Sequence, residues 1–354
     1  MTMKRAFALI SALSLCLGLL AGCRPPETGS KESDKVYELT FAIHDPEDSL
    51  RTLYYEQLAQ QTSEATNGKV KITVVPNGEL LASTDVAEGV LAGEADMGWL
   101  LTTFFPGQFP LSEAVALPML FEDSYVASQV LLDLYERSPE LQDELKHYKI
   151  LQLYTNPINT IFTNEKIERV SDLKGMHIRA TTGVATDIVA AWGGSPLLMG
   201  PEQMHLSVEK GILDAMVFEW SGFDVYNLGE VTHYCVDVPV TCGVFMTVMN
   251  QESYDSLPEP YQAVIDEIWG AREVSLEVAQ SFLDNARAAR EKGIQEYGMT
   301  VIELSDGAVA EFREVADDYV EAWVEKMTTD DFDARAYLDL LLSLKAQYEG
   351  PPRS

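Results

Sequence analysis

Apolar and polar positions follow two different periods in the first third of the chain. Short apolar or alternating runs at residues 39–43, 70–75 and 95–100 are typical of strands. Apolar side chains recur at helical spacing over residues 50–66, and a shorter helix is expected at 85–92. Strands that alternate with helices in this way predict a parallel sheet covered by helices.

The same alternation returns in the middle of the chain and predicts a second α/β unit of similar size. Strands are expected at 150–154, 176–179, 196–198, 215–218 and 244–249, and helices at 186–192 and 201–210. Residues 236–241 are interpreted as a strand, a turn and a strand. From residue 258 to residue 297 the helical pattern is almost unbroken, which predicts one long helix that spans both units.

The first residues carry the pattern of a sorting signal. Two basic residues precede an apolar run over residues 6–20, and Cys23 follows directly after Ala-Gly. A basic start, an apolar core and small residues before the cleavage site predict a signal peptide over residues 1–22. The cysteine resembles that of a bacterial lipobox, in which Cys23 would carry the lipid that anchors the mature protein to a membrane outside the cytoplasm. The alternative is an ordinary signal peptide with a chance cysteine. Residues 23–35, poor in apolar side chains, are expected to form a flexible tether.

Charge separates this chain from an average soluble protein. Among its 354 residues, 56 Asp and Glu against 25 Lys and Arg give a net charge of −31. So acidic a protein repels phosphate backbones, which argues against nucleic acid as a partner. An anionic ligand would therefore need a local positive site that overcomes the field of the whole protein.

Two cysteines remain after the predicted signal peptide and Cys23 are set aside. Cys235 and Cys242 flank the predicted strand–turn–strand segment, so both a local disulfide and two buried free thiols are open. With His233 they provide three unevenly spaced candidate ligands and no fourth nearby, which is a weak zinc signal. We expect no metal site and no cofactor.

Six short segments occur in an order that is typical of one receptor family. They cover residues 75–80, 91–97, 117–121, 170–179, 204–215 and 250–258, and the match is carried by Pro76, Gly78, Leu80, Gly93, Asp96, Met97, Leu117, Pro118, Leu120, Phe121, Asp172, Leu173, Lys174, Gly175, Ile178, Arg179, Gly211, Asp214, Asn250, Leu257 and Pro258. In these segments the chain resembles the DctP-type receptors of TRAP (tripartite ATP-independent periplasmic) transporters.

The resemblance implies an α/β fold with two lobes, hinge strands between them and one long helix, 258–297, that crosses both. Residues 36–155 and 245–285 would form the first lobe, and residues 156–244 and 286–348 the second. It also implies a receptor without catalytic residues, which binds a small organic carboxylate and delivers it to the membrane subunits of a TRAP permease.

Arg179 is the strongest candidate for holding that carboxylate. It ends the predicted strand 176–179, and ligands of open α/β sheets bind at the carboxyl ends of strands. A guanidinium can take a carboxylate with two parallel hydrogen bonds. Without the resemblance, pairing with a surface carboxylate would be the simpler interpretation, but the matching family position grips the solute carboxylate.

Other candidate ligand-binding residues follow the ends of predicted strands. Asn159 lies near a position where many family members carry a second arginine, and Asn156 and Asn159 could donate neutral hydrogen bonds or only cap a loop. Trp220 could cover the apolar body of a solute, with core packing as the alternative. Glu219 could accept a hydrogen bond from the solute or face solvent.

In the first lobe, His44 and Trp99 are the expected contacts of the solute. Because Arg179 lacks a second arginine near Asn159, the sequence favours a monocarboxylate with an apolar or aromatic body. The Gly-x-Ser-x-Gly and His-Glu-x-x-His motifs of hydrolases, the Walker loop of nucleotide-binding proteins and the Gly-x-Gly-x-x-Gly motif of dinucleotide enzymes are absent from the sequence. A secreted, lipid-anchored hydrolase is the remaining alternative from another class of protein.

Overall fold

The computed structural model describes residues 35–181 and 183–349. The predicted signal peptide, Cys23 and the predicted tether up to residue 34 lie outside the described residues.

Strands within the described residues build two sheets. They are β1 Tyr37–Ala42, β2 Val70–Val75, β3 Met97–Leu101, β4 Tyr148–Thr155, β5 Asn159–Thr163, β6 His177–Ala180, β7 Ser195–Leu198, β8 Ala215–Phe218, β9 Tyr234–Thr241, β10 Val244–Asn250 and β11 Thr300–Ile302.

Helices cover the faces of these sheets. They are α1 Leu50–Ala65, α2 Val86–Leu91, α3 Ser124–Arg137, α4 Pro139–Leu145, α5 Val184–Ala191, α6 Met204–Glu209, α7 Gln251–Asp255, α8 Glu259–Ile268, α9 Arg272–Gln295, α10 Asp306–Met327 and α11 Ala334–Glu349.

Lobe I is the half of the molecule built on the first sheet, with strand order β2-β1-β3-β10-β4. As the alternating pattern predicts, β1 lies parallel to β2 and β3, whereas β10 runs antiparallel to β3 and β4. One apolar cluster joins the sheet to α2, α3 and α4, and a second joins it to α1 and α8. The carboxyl ends of β1 and β3 therefore lie at one edge of this sheet.

Lobe II is built on the second sheet, with strand order β11-β9-β5-β8-β6-β7. Its parallel core is β7-β6-β8, and β5 runs antiparallel to β8 and β9. The carboxyl ends of β6 and β8 come together at one edge, where ligands of α/β sheets bind.

The chain passes between the two sheets at residues 156–158 and again at residues 242–243. These crossings are tied together by Asn156, whose side-chain oxygen accepts a hydrogen bond from the Gly243 N–H at 2.6 Å. The Asn156 N–H in turn donates to the Gly243 carbonyl at 3.1 Å. Both crossings thus form one hydrogen-bonded hinge.

The long helix expected over residues 258–297 is interrupted. α8 ends at Ile268 and α9 begins at Arg272. Trp269 is fully buried, and its indole N–H donates to the Thr62 hydroxyl at 2.8 Å, which directs the chain toward α1 before it turns at Gly270. α9 contacts both lobes, through Val278 and Ala279 in lobe I and Ala286 and Ala289 in lobe II.

The last helix also differs from the expected division into lobes, which assigned residues 286–348 to the second lobe. α11 packs on lobe I, because Tyr337, Leu341 and Leu344 join the apolar cluster beneath α3. The Tyr337 hydroxyl also donates to the Leu111 carbonyl at 2.9 Å.

The two cysteines are not bridged. β9 continues from Tyr234 to Thr241 without the predicted turn, so Cys235 and Cys242 lie near opposite ends of one strand. At about 3.3 Å per residue, this separation is far beyond the reach of a disulfide. Both thiols are buried, and burial raises the pKa of each to about 12.

Candidate functional site

Arg179 lies at the carboxyl edge of lobe II, on the third residue of β6. Its Nε donates to the Met199 carbonyl at 3.2 Å and its Nη1 to the Val217 carbonyl at 3.2 Å. These two carbonyls flank β6, on β8 and after β7, so the neighbouring segments hold the guanidinium in place. Only 4% of the residue is exposed. In the described part of the chain, Arg179 forms no ion pair with a carboxylate.

The charge of Arg179 is buried without a neutralising carboxylate from the described residues. Burial lowers the pKa of Arg179 to about 10, while Tyr226 and Glu202 act in the opposite direction. The group therefore stays charged at neutral pH. Because burying an unpaired charge is costly, a ligand carboxylate would supply the counter-ion that the protein itself does not.

Two aromatic residues that the sequence did not single out lie near this guanidinium, Phe218 beside it and Tyr226 against Phe218. The carbon at its centre lies 5.3 Å from the ring centroid of Phe218, the last residue of β8. Tyr226 meets the Phe218 ring edge-on, with 5.9 Å between centroids. The position of Phe218 at a strand end could have revealed it, whereas Tyr226 lies in a loop without a local signal.

Trp220 packs into the core of lobe II. Its ring centroid lies 4.8 Å from that of Phe162 and 5.0 Å from that of Phe223, and 7% of the residue is exposed. α9 approaches so closely that a Cβ added at Gly293 would come within 2.7 Å of the indole. Its packing favours the core interpretation, and the role as a cover for the solute stays a prediction.

Glu219 caps the turn that follows β8. Its carboxylate accepts hydrogen bonds from the Ser221 N–H and, at 3.0 Å, from the Gly222 N–H. Burial raises its pKa, these hydrogen bonds lower it, and the charge of Arg51 lowers it further. The carboxylate thus has a structural role and also lies in the field of a lobe I cation.

The two asparagines lie at the hinge. The side-chain oxygen of Asn156 accepts the hydrogen bond from the Gly243 N–H. Asn159 begins β5 and pairs with Thr241 of β9. Asn159 is half-buried. Contact of either residue with a solute stays a prediction.

Lobe I contributes a group of aromatic rings around Trp99, against which the charged pair Asp45–Arg51 packs. The Trp99 indole N–H donates to the Tyr154 hydroxyl at 2.9 Å, and the ring centroid of His44 lies 4.9 Å from that of Trp99. The guanidinium carbon of Arg51 lies 3.9 Å from the Trp99 ring centroid, and its Nη1 donates to Asp45 Oδ2 at 2.8 Å. His44 and Trp99 were expected here, but Asp45 and Arg51 were not. The only signal for them was their place after the first strand and in the first turn of the first helix.

His44 should make folding stability depend on pH. Burial lowers its pKa below 6.5; Asp45 raises this pKa and Arg51 lowers it. A base whose pKa is lower in the folded state resists protonation there, so the free energy of unfolding should fall as the pH drops below about 6.5. In His44→Gln this part of the fall should be absent, which urea unfolding between roughly pH 5 and 8 measures. An unchanged pH profile in the variant would contradict this assignment.

The described residues contain no group of three or more His, Cys, Asp or Glu side chains that could hold a metal ion. None of the helices in residues 35–181 and 183–349 has the length and apolar character needed to cross a membrane.

Known structures share this architecture. A TRAP periplasmic solute-binding protein from Desulfovibrio salexigens has a TM-score of 0.80 and 26% identity, over 90% of this chain and 98% of that one. A marine metagenome TRAP solute-binding protein specific for aromatic acid ligands, in complex with metahydroxyphenylacetate, has a TM-score of 0.80 and 24% identity, over 89% of this chain and 100% of that one. These similarities confirm the expected two-lobed α/β fold.

Sequence relatives agree with the structural ones. The 2,3-diketo-L-gulonate-binding periplasmic protein YiaO of Escherichia coli is 26% identical over 254 residues, which cover 68% of this chain and 73% of that protein. The model of the family described as "Bacterial extracellular solute-binding protein, family 7" (DctP) matches residues 41–327. Its members are solute receptors, so the hydrolase alternative gains no support. The resemblance seen in the sequence is confirmed: this chain belongs to the DctP family of solute-binding proteins that serve TRAP transporters.

Proposed function

We propose that this protein is an extracytoplasmic receptor that captures a small monocarboxylate with an apolar or aromatic body and delivers it to a TRAP permease. One observation carries the proposal: Arg179 is a buried, charged guanidinium without a carboxylate partner in the described chain, at the edge where ligands of such sheets bind. The ligand carboxylate would complete its ion pair. Phe218 beside it offers an apolar surface to the rest of the solute.

The charges of the site support one carboxylate rather than two. Asn159, and not an arginine, begins β5 at the hinge. Within the described residues, Arg51 is a second cation that acts on Tyr226, and it already pairs with Asp45. Arg179 is therefore the cation that most needs an anion.

Capture would also involve a movement of the lobes. The hinge at Asn156 and Gly243 is short, and α9 spans both lobes, so closure around a solute fits a hinge motion. Closure would bring the Trp99 ring of lobe I against the ligand held by lobe II.

A thermal-shift screen of organic acids on the mature protein tests the proposal. We expect monocarboxylates with an aromatic or branched apolar body to raise the melting temperature, because a ligand that binds only the folded state stabilises it. Dicarboxylates, neutral sugars and divalent metal ions are the comparison groups. Stabilisation by sugars or metals, with none from any acid, would contradict the receptor assignment.

We further propose that the protein is anchored to a membrane through a lipid on Cys23. In Cys23→Ser, expressed in a bacterium that processes lipoproteins, the protein should move from the membrane fraction to the soluble fraction or keep its signal peptide. Cell fractionation with immunoblotting measures this, and Cys235→Ser is the matched control. Unchanged membrane association of Cys23→Ser would exclude the lipid anchor.

A further inference from the structure

We propose that the Asp45–Arg51 pair of lobe I recognises a hydroxyl group on the captured acid, so that the preferred ligand is a hydroxy-substituted monocarboxylate. This inference rests on the proposed function, because it assumes that Arg179 holds the carboxylate. It adds a second point of recognition, in the other lobe, and names the residues that determine specificity there.

The Asp45 and Arg51 side chains are held in place but remain partly exposed to solvent. Arg51 Nη1 lies 2.8 Å from Asp45 Oδ2, with 21% and 18% of the two side chains exposed. The guanidinium is clamped between aromatic rings, 3.9 Å from the centroid of Trp99 and 5.1 Å from that of Phe282. Such a clamp fixes the direction of the remaining donors, as a recognition site requires.

Two polar atoms in and beside this pair make no hydrogen bond among the described residues. Arg51 Nε and His44 Nδ1 are both buried and have no hydrogen-bond partner among the described residues. Asp45 Oδ1 lies 3.8 Å from His44 Nε2, which is too long for a hydrogen bond. Buried polar groups of folded proteins are normally paired, so two unpaired ones in one cluster suggest that a ligand group completes them.

Tyr226 links the cluster to the guanidinium that would hold the carboxylate, because its ring meets that of Phe218, which lies beside Arg179. Asp45, Arg51 and Arg179 all act on the Tyr226 hydroxyl, whose pKa burial raises and these charges modify. Arg51 also acts on Glu219, directly after Phe218. The charged pair and Arg179 are therefore both close enough to Tyr226 to influence its hydroxyl, as two parts of one ligand site would be.

A hydroxyl is the group that this pair matches best. It can donate its proton to Asp45 and accept a hydrogen bond from Arg51 at the same time. A second carboxylate can only accept, and it would lie beside the negative charge of Asp45. An apolar substituent would leave both groups unpaired and desolvated, which disfavours binding.

Calorimetric titrations with two matched series of acids test this inference. One series is benzoate, its three monohydroxy isomers and benzene-1,3-dicarboxylate; the other is butanoate, 3-hydroxybutanoate and pentanedioate. In the wild-type protein, the best hydroxy acid should bind about 10- to 100-fold more tightly than its unsubstituted parent. The dicarboxylate should bind no more tightly than the parent.

Two variants of the pair should remove this preference. In Asp45→Asn and in Arg51→Met, the ratio between the affinities for the hydroxy acid and its parent should fall to about 1. Asp45→Asn is nearly isosteric and should also strengthen dicarboxylate binding by about 10-fold, because it removes the opposing charge. Matched controls are Asp284→Asn and Arg287→Met, from an exposed pair on α9.

The outcomes separate the two proposals. If the variants weaken hydroxy acid and parent by the same factor, or if wild-type protein binds a dicarboxylate best, the inference is wrong and Arg179 still holds a carboxylate. If wild-type protein binds no acid of either series, the inference is also overturned. Failure of the whole acid panel in the thermal-shift screen would overturn the receptor assignment as well.

Discussion

Replacing Arg179 with alanine should lower the affinity for small organic acids by about two to three and a half orders of magnitude. The ligand carboxylate would become a buried charge without a partner, which costs about 3–5 kcal/mol at about 1.4 kcal/mol per tenfold change. Arg179→Lys should restore little, because a point charge cannot bind the Met199 and Val217 carbonyls and still present a planar pair of donors to a carboxylate.

Calorimetry on the purified variants measures this loss, and urea unfolding verifies that each variant is folded. Arg335→Ala is the control, because Arg335 forms an exposed ion pair with Glu321 on the surface. Normal acid binding by a folded Arg179→Ala protein would refute the assignment of this residue.

Replacing Trp220 with alanine should lower the free energy of unfolding by about 3–5 kcal/mol, as for other large aromatic residues in a core. The indole fills the space between Phe162, Phe223 and α9, and its removal leaves a cavity there. We expect the folded fraction of the variant to bind acids with nearly normal affinity.

Phe218→Ala is the matched variant for this test. It should have the opposite profile, with a smaller loss of stability and a clear loss of acid affinity, because its ring lies beside Arg179. Urea unfolding and calorimetry on both variants measure the two quantities. A large loss of affinity in Trp220→Ala with little loss of stability would instead support the ligand cover predicted from the sequence.

Sequence patterns were sufficient for features that depend on neighbouring residues. The alternation of strands and helices predicted β2 over Val70–Val75 and β8 over Ala215–Phe218 with their observed bounds. Arg179 could be singled out because it combines a strand-end position with a family motif. A rule about one strand was enough to place it at the edge of the sheet.

Features that depend on distant contacts could not be predicted in this way. Asp45 and Arg51 are only six positions apart, but the place of their pair in the site depends on the Trp99 ring of β3, over which the Arg51 guanidinium lies. The break between α8 and α9 depends on a buried contact of Trp269 with Thr62, more than 200 positions away in the chain. The direction of Trp220 depends on a turn that Glu219 caps, which strand alternation does not describe.

We propose above all that this receptor binds small monocarboxylates through one buried guanidinium. Titrating the purified mature protein with the acid that stabilises it most in the thermal-shift screen, by isothermal calorimetry, tests this claim most directly. We expect saturable binding of one monocarboxylate per chain, abolished or greatly weakened in Arg179→Ala. Saturable binding of a neutral sugar or a metal ion, with no heat from any organic acid, would contradict it.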